Sequence, residues 1–453
     1  MTARLVRTRL RDGIAFVIMD NPPVNALSGL LRGQLAETFT ILAQQKAANA
    51  IVLLSNEPPF SAGANVLDYD RPDTFAGITE VCRIIEDSPV PVVAGLSGLV
   101  LGDGLALALA AHYRVADAAA RIGLPDVTLG LTPSGGATQR LPRMAGAERA
   151  LDMMLGGRPI DMIEAQQGKL VDGVTSGDLP SAAFAFAKNI LEKGKGVRRS
   201  RDRTEGAADP AAYLQSIGRR RAALRQSRMN APRRIVDCVE AALLLPFEAG
   251  QIFESDTFGE CLSHQQSRAL RHIFMAERQI SKTLLEKHPK GFWQVTESGQ
   301  VIVERLRSAL RVAVDHIAGL GVPPAKIDTA LLQFGFVETP FGGTEPGTMS
   351  REHLLIQRRC VSAMMAEGAN MVRAGAVQRP SDIDALAVHG MSFPRFQGGP
   401  MKAVHLFGLL QVRREMQRWA EESRLWTPPP LLNEAIKYAN GFEGIPAAHL
   451  RPE

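Results

Sequence analysis

The sequence is poor in cysteine: its 453 residues hold Cys82, Cys238, Cys261 and Cys360, far apart and with no C-x-x-C pair. That spacing excludes a zinc ribbon or a dithiol redox motif and argues against a disulfide framework, so reducing, cytoplasmic surroundings are expected. No uninterrupted run of 18 apolar residues occurs, and no membrane span is expected. The opening M-T-A-R-L-V-R-T-R-L-R-D-G lacks the apolar stretch of a signal peptide, so none is expected. There is no G-x-x-x-x-G-K-[ST], and no G-x-G-x-x-G follows a strand, which leaves no phosphate loop and no dinucleotide fingerprint. No spacing of His, Asp or Glu has the pattern of a metal site, and no metal is expected. The formal charge of +5 is too small to imply nucleic-acid binding. The basic stretch from Val197 to Arg234 also has few interleaved aromatics, so no nucleic-acid partner is expected.

What is present suits a soluble globular chain: 45% hydrophobic and 22% charged residues, enough for a sizeable core. At roughly 150 residues per domain the length suggests about three units. Residues 1–185 alternate strand and helix signals. R-L-V-R-T-R-L and I-A-F-V-I-M-D flank Asp12-Gly13, a favoured tight-turn pair. N-A-L-S-G-L-L-R-G-Q-L-A-E-T-F-T-I-L has helical spacing. A-I-V-L-L-S and P-V-V-A-G-L-S are short buried strands, and the order implies layered α/β packing. Residues 186–294 read as a basic linker followed by amphipathic helices, marked by Val239 and Leu243, then by Leu270, Ile273 and Phe274. The linker's charge suits a solvated helix face first and a phosphate-contacting patch second. Residues 295–453 contain a weak helical repeat. Each copy has a long helix, an Ile-Asp pair closely followed by Ala-Leu, then an apolar-glycine turn. Two packed copies explain that without any chemistry.

Two glycine-rich turns carry the chemical signal. The first is P-F-S-A-G-A-N, containing Ala62, Gly63 and Ala64. The second is L-G-D-G-L-A-L-A, in which Gly102, Asp103 and Gly104 lead into a helix. Helix-start N–H groups lack intrahelical partners and carry the positive end of the dipole. Glycine lets backbone approach a ligand closely. Two such N–H groups aimed at one point would stabilise a thioester enolate or a tetrahedral oxyanion. Taken singly, each turn is also compatible with an ordinary strand-to-helix connection.

Six segments together resemble the crotonase (enoyl-CoA hydratase/isomerase) family: N-P-P-V-N-A-L-S at 21–28, F-S-A-G-A-N at 60–65, L-G-D-G-L-A-L-A-L-A at 101–110, G-L-P-D-V-T-L-G-L-T-P at 123–133, T-Q-R-L-P-R at 138–143 and G-R-P-I-D-M-I-E-A-Q-Q-G-K-L-V-D at 157–172. The resemblance covers residues 10–185 and implies the family's ββα spiral fold. It implies an oxyanion hole from the N–H groups of Ala64 and Asp103, with substrate along Val24, Ala26, Ala62, Gly63 and Gly102. Coenzyme A enters only as part of the acyl-CoA substrate. Later segments, D-I-D-A-L-A-V-H-G and F-P-R-F-Q-G-G-P-M above all, resemble the all-α C-terminal domains of 3-hydroxyacyl-CoA dehydrogenases in multifunctional β-oxidation proteins.

The departures from the family narrow the expected chemistry. Fewer than twenty residues separate Lys282 from the repeat near Val301, and a βαβ unit needs about 30. The dehydrogenase asparagine corresponds to Glu304. Neither NAD binding nor dehydrogenase activity is therefore expected. Of the two family hydratase glutamates, one falls at Ala106 and the other at Asp126. A single carboxylate, Asp126, suits isomerase-type proton transfer within a β-oxidation-type pathway. Asp103 is a second candidate catalytic group, or a helix cap. Atypical hydration stays open, as does hydrolytic ring or C–C cleavage of a β-keto acyl-CoA. So does a non-catalytic acyl-CoA-binding pseudoenzyme or scaffold. His112 reads as structural and Ser134 as a turn residue, while His389 belongs to the helical repeat without a nameable partner. A homodimer or homo-oligomer is expected, with other β-oxidation enzymes as further candidate partners.

Overall fold

The computed structural model describes residues 3–69, 76–344 and 347–450. The chain forms two compact units, Met1–Ser263 and His264–Glu453.

In the first unit β1 (Val6–Arg11) and β2 (Ile14–Met19) make the expected hairpin. Asp12 and Gly13 both take left-handed φ, +49° and +74°, as the tight turn requires. The chain continues through α1 (Gly29–Gln45), β3 (Ala50–Ser55), α2 (Ile78–Glu86), β4 (Val92–Leu96), β5 (Leu99–Leu101), α3 (Asp103–Ala110), β6 (Tyr113–Asp117) and β7 (Arg121–Gly123). Then come α4 (Ala137–Gly156), α5 (Met162–Gln167), β8 (Gly173–Thr175) and α6 (Leu179–Glu192). Six strands form one sheet in the order β1-β2-β3-β4-β6-β8, parallel from β2 onward. Alternation along β2 sends Ala15, Val17 and Met19 to one core with α1 to α4. Ile14 and Phe16 go to the other, where Leu179, Ala183, Ala187 and Ile190 of α6 cover the sheet. A strand covered on both faces must be apolar throughout, and β3 meets that demand with Ala50–Leu54 all buried.

Three more helices complete this unit: α7 (Pro210–Ala223), α8 (Ala231–Leu244) and α9 (Phe247–Ser263). The division after Ser263 therefore falls inside the 186–294 segment set apart by composition. Burial is the reason: Tyr213, Ile217, Ile235, Val236 and Val239 join the main core. The arginines of that segment turn outward into ion pairs. Arg198 meets Asp172, Arg201 meets Asp87, Arg219 meets Glu148, Arg220 meets Asp152, and Arg221 meets Asp237 and Glu240. Exposed pairs of this kind contribute at most about 1 kcal/mol each.

The second unit holds α10 (Gln265–Gln279), a short hairpin of β9 (Leu285–Lys287) and β10 (Trp293–Val295), and then helices only: α11 (Glu297–Gly319), α12 (Pro324–Phe334), α13 (Arg351–Arg373), α14 (Pro380–Gly390), α15 (Gly399–Phe407), α16 (Leu409–Trp419) and α17 (Pro430–Ala435). The two copies have helices of matching length. α11 and α13 each have 23 residues, and α12 and α14 each have 11. The aspartate of each Ile-Asp pair fastens the glycine turn that follows. Asp328 accepts from the N–H of Phe341 and Gly343, and Asp384 from those of Met401 and Lys402. Asp384 also pairs with His272 Nε2 at 2.7 Å, so both copies of the motif have a structural account.

Candidate active site

Strand β5 brings the pieces together. On one side it pairs with the first glycine-rich turn: Ser61 N–H donates to Leu99 O at 3.2 Å, and Leu101 N–H to Ser61 O at 2.9 Å. On the other side it pairs in parallel with β7, Leu101 opposite Gly123. Just beyond this three-stranded register lie Gly63, Gly102 and Asp126. The ladder thus gathers residues far apart in sequence.

Close approach fixes the glycines. Gly63 has φ +101°, and a β-carbon on it would lie 2.9 Å from Leu101 O and 3.7 Å from Asp103 N. A β-carbon on Gly104 would lie 2.7 Å from that of Ser61, so α3 starts hard against the first turn. Gly102 has φ +51° and donates its N–H to Gly123 O at 2.9 Å. Asp103 is the first residue of α3, where the helix leaves its N–H unpartnered. Among the described residues neither Asp103 N–H nor Ala64 N–H donates to a backbone carbonyl.

The segment at 21–28 runs beside the first turn. Ala62 N–H donates to Val24 O at 3.0 Å and Leu27 N–H to Gly63 O at 2.8 Å. Val24 is 41% exposed and Ala26 half-buried, so this ledge is open. Asn25, which sequence reasoning passed over, ties it down. Its side-chain amide donates to Pro59 O at 2.9 Å, and its backbone carbonyl accepts the Ser61 hydroxyl at 2.7 Å.

Asp126 sits in a short 3-10 turn after β7, 7% exposed. Its Oδ1 and Oδ2 would lie 3.6 and 3.7 Å from a β-carbon on Gly102. Oδ2 is buried without a hydrogen-bond partner. Burial, reinforced by the neighbouring Asp103 carboxyl, pushes Asp126 up to about 8. Burial also raises Asp103, against the opposing pull of the Ser134 hydroxyl and of Arg32 on α1. The two carboxyls therefore lie in desolvated surroundings that raise both above the usual carboxylate range.

The other candidates separate clearly. Ser134 is more than a turn residue, since its hydroxyl donates to Asp103 Oδ1 at 2.6 Å. Ala106 is fully buried under Gly135, whose β-carbon would lie 2.9 Å from that of Ala106. His112 is committed to backbone: Nδ1 accepts from Val92 N–H at 2.9 Å and Nε2 lies 3.0 Å from Glu86 O. His389 and Glu304 belong to the second unit. His389 pairs with Glu277 at 2.6 Å, and Glu304 accepts from Gln300 at 2.7 Å on an exposed helix face. Among the described residues no group of three or more His, Cys, Asp or Glu could hold a metal, and no helix is long and apolar enough to cross a membrane. All four cysteines are free and buried.

The two glycine-rich turns and the buried Asp126 carboxyl lie in the N-terminal part of the chain, which carries a crotonase domain. Residues 9–203 match the family model described as enoyl-CoA hydratase/isomerase. The human peroxisomal bifunctional enzyme is 36% identical over 281 residues, covering 61% of this chain and 38% of that protein. A peroxisomal fatty acid beta-oxidation multifunctional protein of Arabidopsis thaliana is 34% identical over 289 residues, covering 60% and 39%. The chain thus spans about two fifths of the length of these curated relatives. An enoyl-CoA hydratase/isomerase crystal structure from Pseudoalteromonas atlantica aligns over 60% of this chain and 97% of its own, at TM-score 0.46 and 21% identity.

Proposed function

We propose that the first unit transforms acyl-CoA thioesters by moving a proton through Asp126, most simply as an enoyl-CoA isomerase. The carrying observation is the unpartnered, buried Oδ2 of Asp126 beside Gly102, where the two glycine-rich turns meet. A buried polar atom without a partner costs free energy, and a reacting substrate proton supplies the missing partner. The thioester oxygen takes the N–H groups of Ala64 and Asp103, each donor stabilising the enolate by roughly 3 kcal/mol. Ionised Asp126 removes a proton beside the carbonyl and returns it two carbons away. Val24, Ala26, Ala62, Gly63 and Gly102 line the path of the coenzyme A moiety and thioester.

One observation favours a second reading, atypical hydration. The carboxyl absent at Ala106 has a counterpart in Asp103, which is buried, held by Ser134 and coupled to Asp126. With Asp103 holding water and Asp126 exchanging the proton, the site regains two carboxyls.

The full chain is incubated with crotonyl-, 3-hexenoyl- and acetoacetyl-CoA and the products read by mass spectrometry. Turnover of 3-hexenoyl-CoA to the 2-enoyl isomer is expected, and Asp126→Asn is expected to lower kcat by about 100-fold or more, the usual worth of a general base. Full activity in Asp126→Asn refutes the assignment.

A further inference from the structure

Helix α4 begins without a cap of its own. Gly136 stands at its N-cap with φ +79° and no side chain to offer, and Gly135 before it has φ +67°. Both glycines are needed to turn the chain back so that Ser134 reaches Asp103. A serine or aspartate cap at 136 would be strained in that left-handed conformation.

The missing cap comes from α9, over a hundred residues later. Glu254 is completely buried. Its Oε1 accepts Gly136 N–H at 2.6 Å, while its Oε2 accepts Thr138 N–H at 2.9 Å and the Thr138 hydroxyl at 2.6 Å. On the other side of the loop, Arg140 Nη1 donates to Gly135 O at 2.6 Å, and the Arg140 guanidinium is itself paired with Glu86 at 2.8 Å. The loop of Ser134–Thr138 is thus clamped by one carboxylate and one guanidinium, and its free end is the Ser134 hydroxyl on Asp103. Burying a carboxyl is expensive unless it is fully hydrogen-bonded. Burial indeed pushes Glu254 up to about 7, against the three hydrogen bonds that oppose it.

We infer that Glu254 is a positioning residue for the reacting site. It sets the Ser134–Thr138 loop, and through the Ser134 hydroxyl it sets the Asp103 carboxyl and the N–H at the start of α3. The inference rests on the reading of the site proposed above.

A double-mutant cycle in the full chain tests it, with kcat and KM for 3-hexenoyl-CoA measured in wild type, Ser134→Ala, Glu254→Gln and the double variant. Glutamine keeps the shape but presents an amide N–H₂ to donors. Each single variant is expected to lower kcat roughly tenfold, the worth of one hydrogen bond to a charged group, with KM nearly unchanged. The double variant is expected to lose no more than either single, because residues acting as one unit are non-additive. Glu254→Asp is expected to recover part of the rate. Multiplying losses, full activity in Glu254→Gln, or a change in KM alone overturns the relay. Where Glu254→Gln fails to fold by circular dichroism, Thr138→Val takes its place in the cycle and is expected to give a smaller, equally non-additive loss. Asp126→Asn is assayed alongside. If it is inactive while the cycle is additive, this inference alone is overturned. If it is fully active, or the wild type turns over none of the three thioesters, the proposed function falls.

Discussion

At Asp126 burial and chemistry pull in opposite directions. The pocket that removes water from the reacting centre also holds this carboxyl protonated, up to about 8, whereas an isomerase's base must be ionised. The rate constant kcat/KM for 3-hexenoyl-CoA is therefore expected to rise with pH and level off above about 8. A profile already flat from about pH 5 argues that another group takes the proton. The same shift has a consequence for folding. The unfolded chain releases this proton near 3.8, so between that value and about 8 the folded state binds more protons than the unfolded state. Asp126 thus contributes less stability as pH rises across that window. Asp126→Asn removes the dependence. Its gain in Tm over wild type is expected to grow from about pH 5.5 to about pH 8 and then level off, followed by thermal denaturation across buffers. Asp126 and Asp103 were legible in the sequence because they sit inside local motifs. Ser134 and Glu254 were not. Their partners lie 31 and over 110 residues away, and hydrogen bonds across such distances leave no periodicity to read.

Between elements, the site depends on how α2 and α4 are locked together. Glu86 closes α2 and Arg140 lies in α4, both 0% exposed, joined at 2.8 Å with further bonds at 3.3 Å. Glu86 also accepts the N–H of Arg201 at 2.9 Å. Neither charge can find water, so the pair is worth most as a unit. Removing one partner leaves the other buried and uncompensated, which costs about 3–5 kcal/mol, while replacing both with apolar side chains is far milder. Glu86→Ala is accordingly expected to lower stability by about that amount in urea denaturation, and Glu86→Leu/Arg140→Met to recover much of it. Equal losses in both variants would mean that packing, and not the charge, sets the energy. The strands of this unit were legible because β2, β3 and β4 keep the patterns that half-buried and fully buried strands require. Helix α7 was harder to place. Arginines at Arg219, Arg220 and Arg221 dominate its composition, while the apolar face of Tyr213 and Ile217 that fixes it to the core is narrow.

On the scale of the whole chain, the join between the helical segments bears on which activity is expected. α10 ends at Gln279 and α11 begins at Glu297, and the described residues between them form only the β9–β10 hairpin. A dinucleotide-binding unit needs a βαβ crossover of about 30 residues with a glycine-rich turn opening its helix, and a two-stranded hairpin offers neither. The helical repeat beyond it uses Asp328 and Asp384 to fasten its own turns, and Glu304 faces solvent. Two consequences are expected together. Titration of the full chain with NAD or NADH should give no calorimetric signal beyond dilution up to about millimolar ligand. Incubation with NAD and 3-hydroxyhexanoyl-CoA should give no growth of NADH absorbance, even in preparations that turn over 3-hexenoyl-CoA. Micromolar NAD binding would overturn the first consequence and would mean that residues outside the hairpin assemble a nucleotide site. NADH production without prior enoyl-CoA turnover would overturn the wider reading, in which the first unit carries the chemistry and the helical repeat is structural.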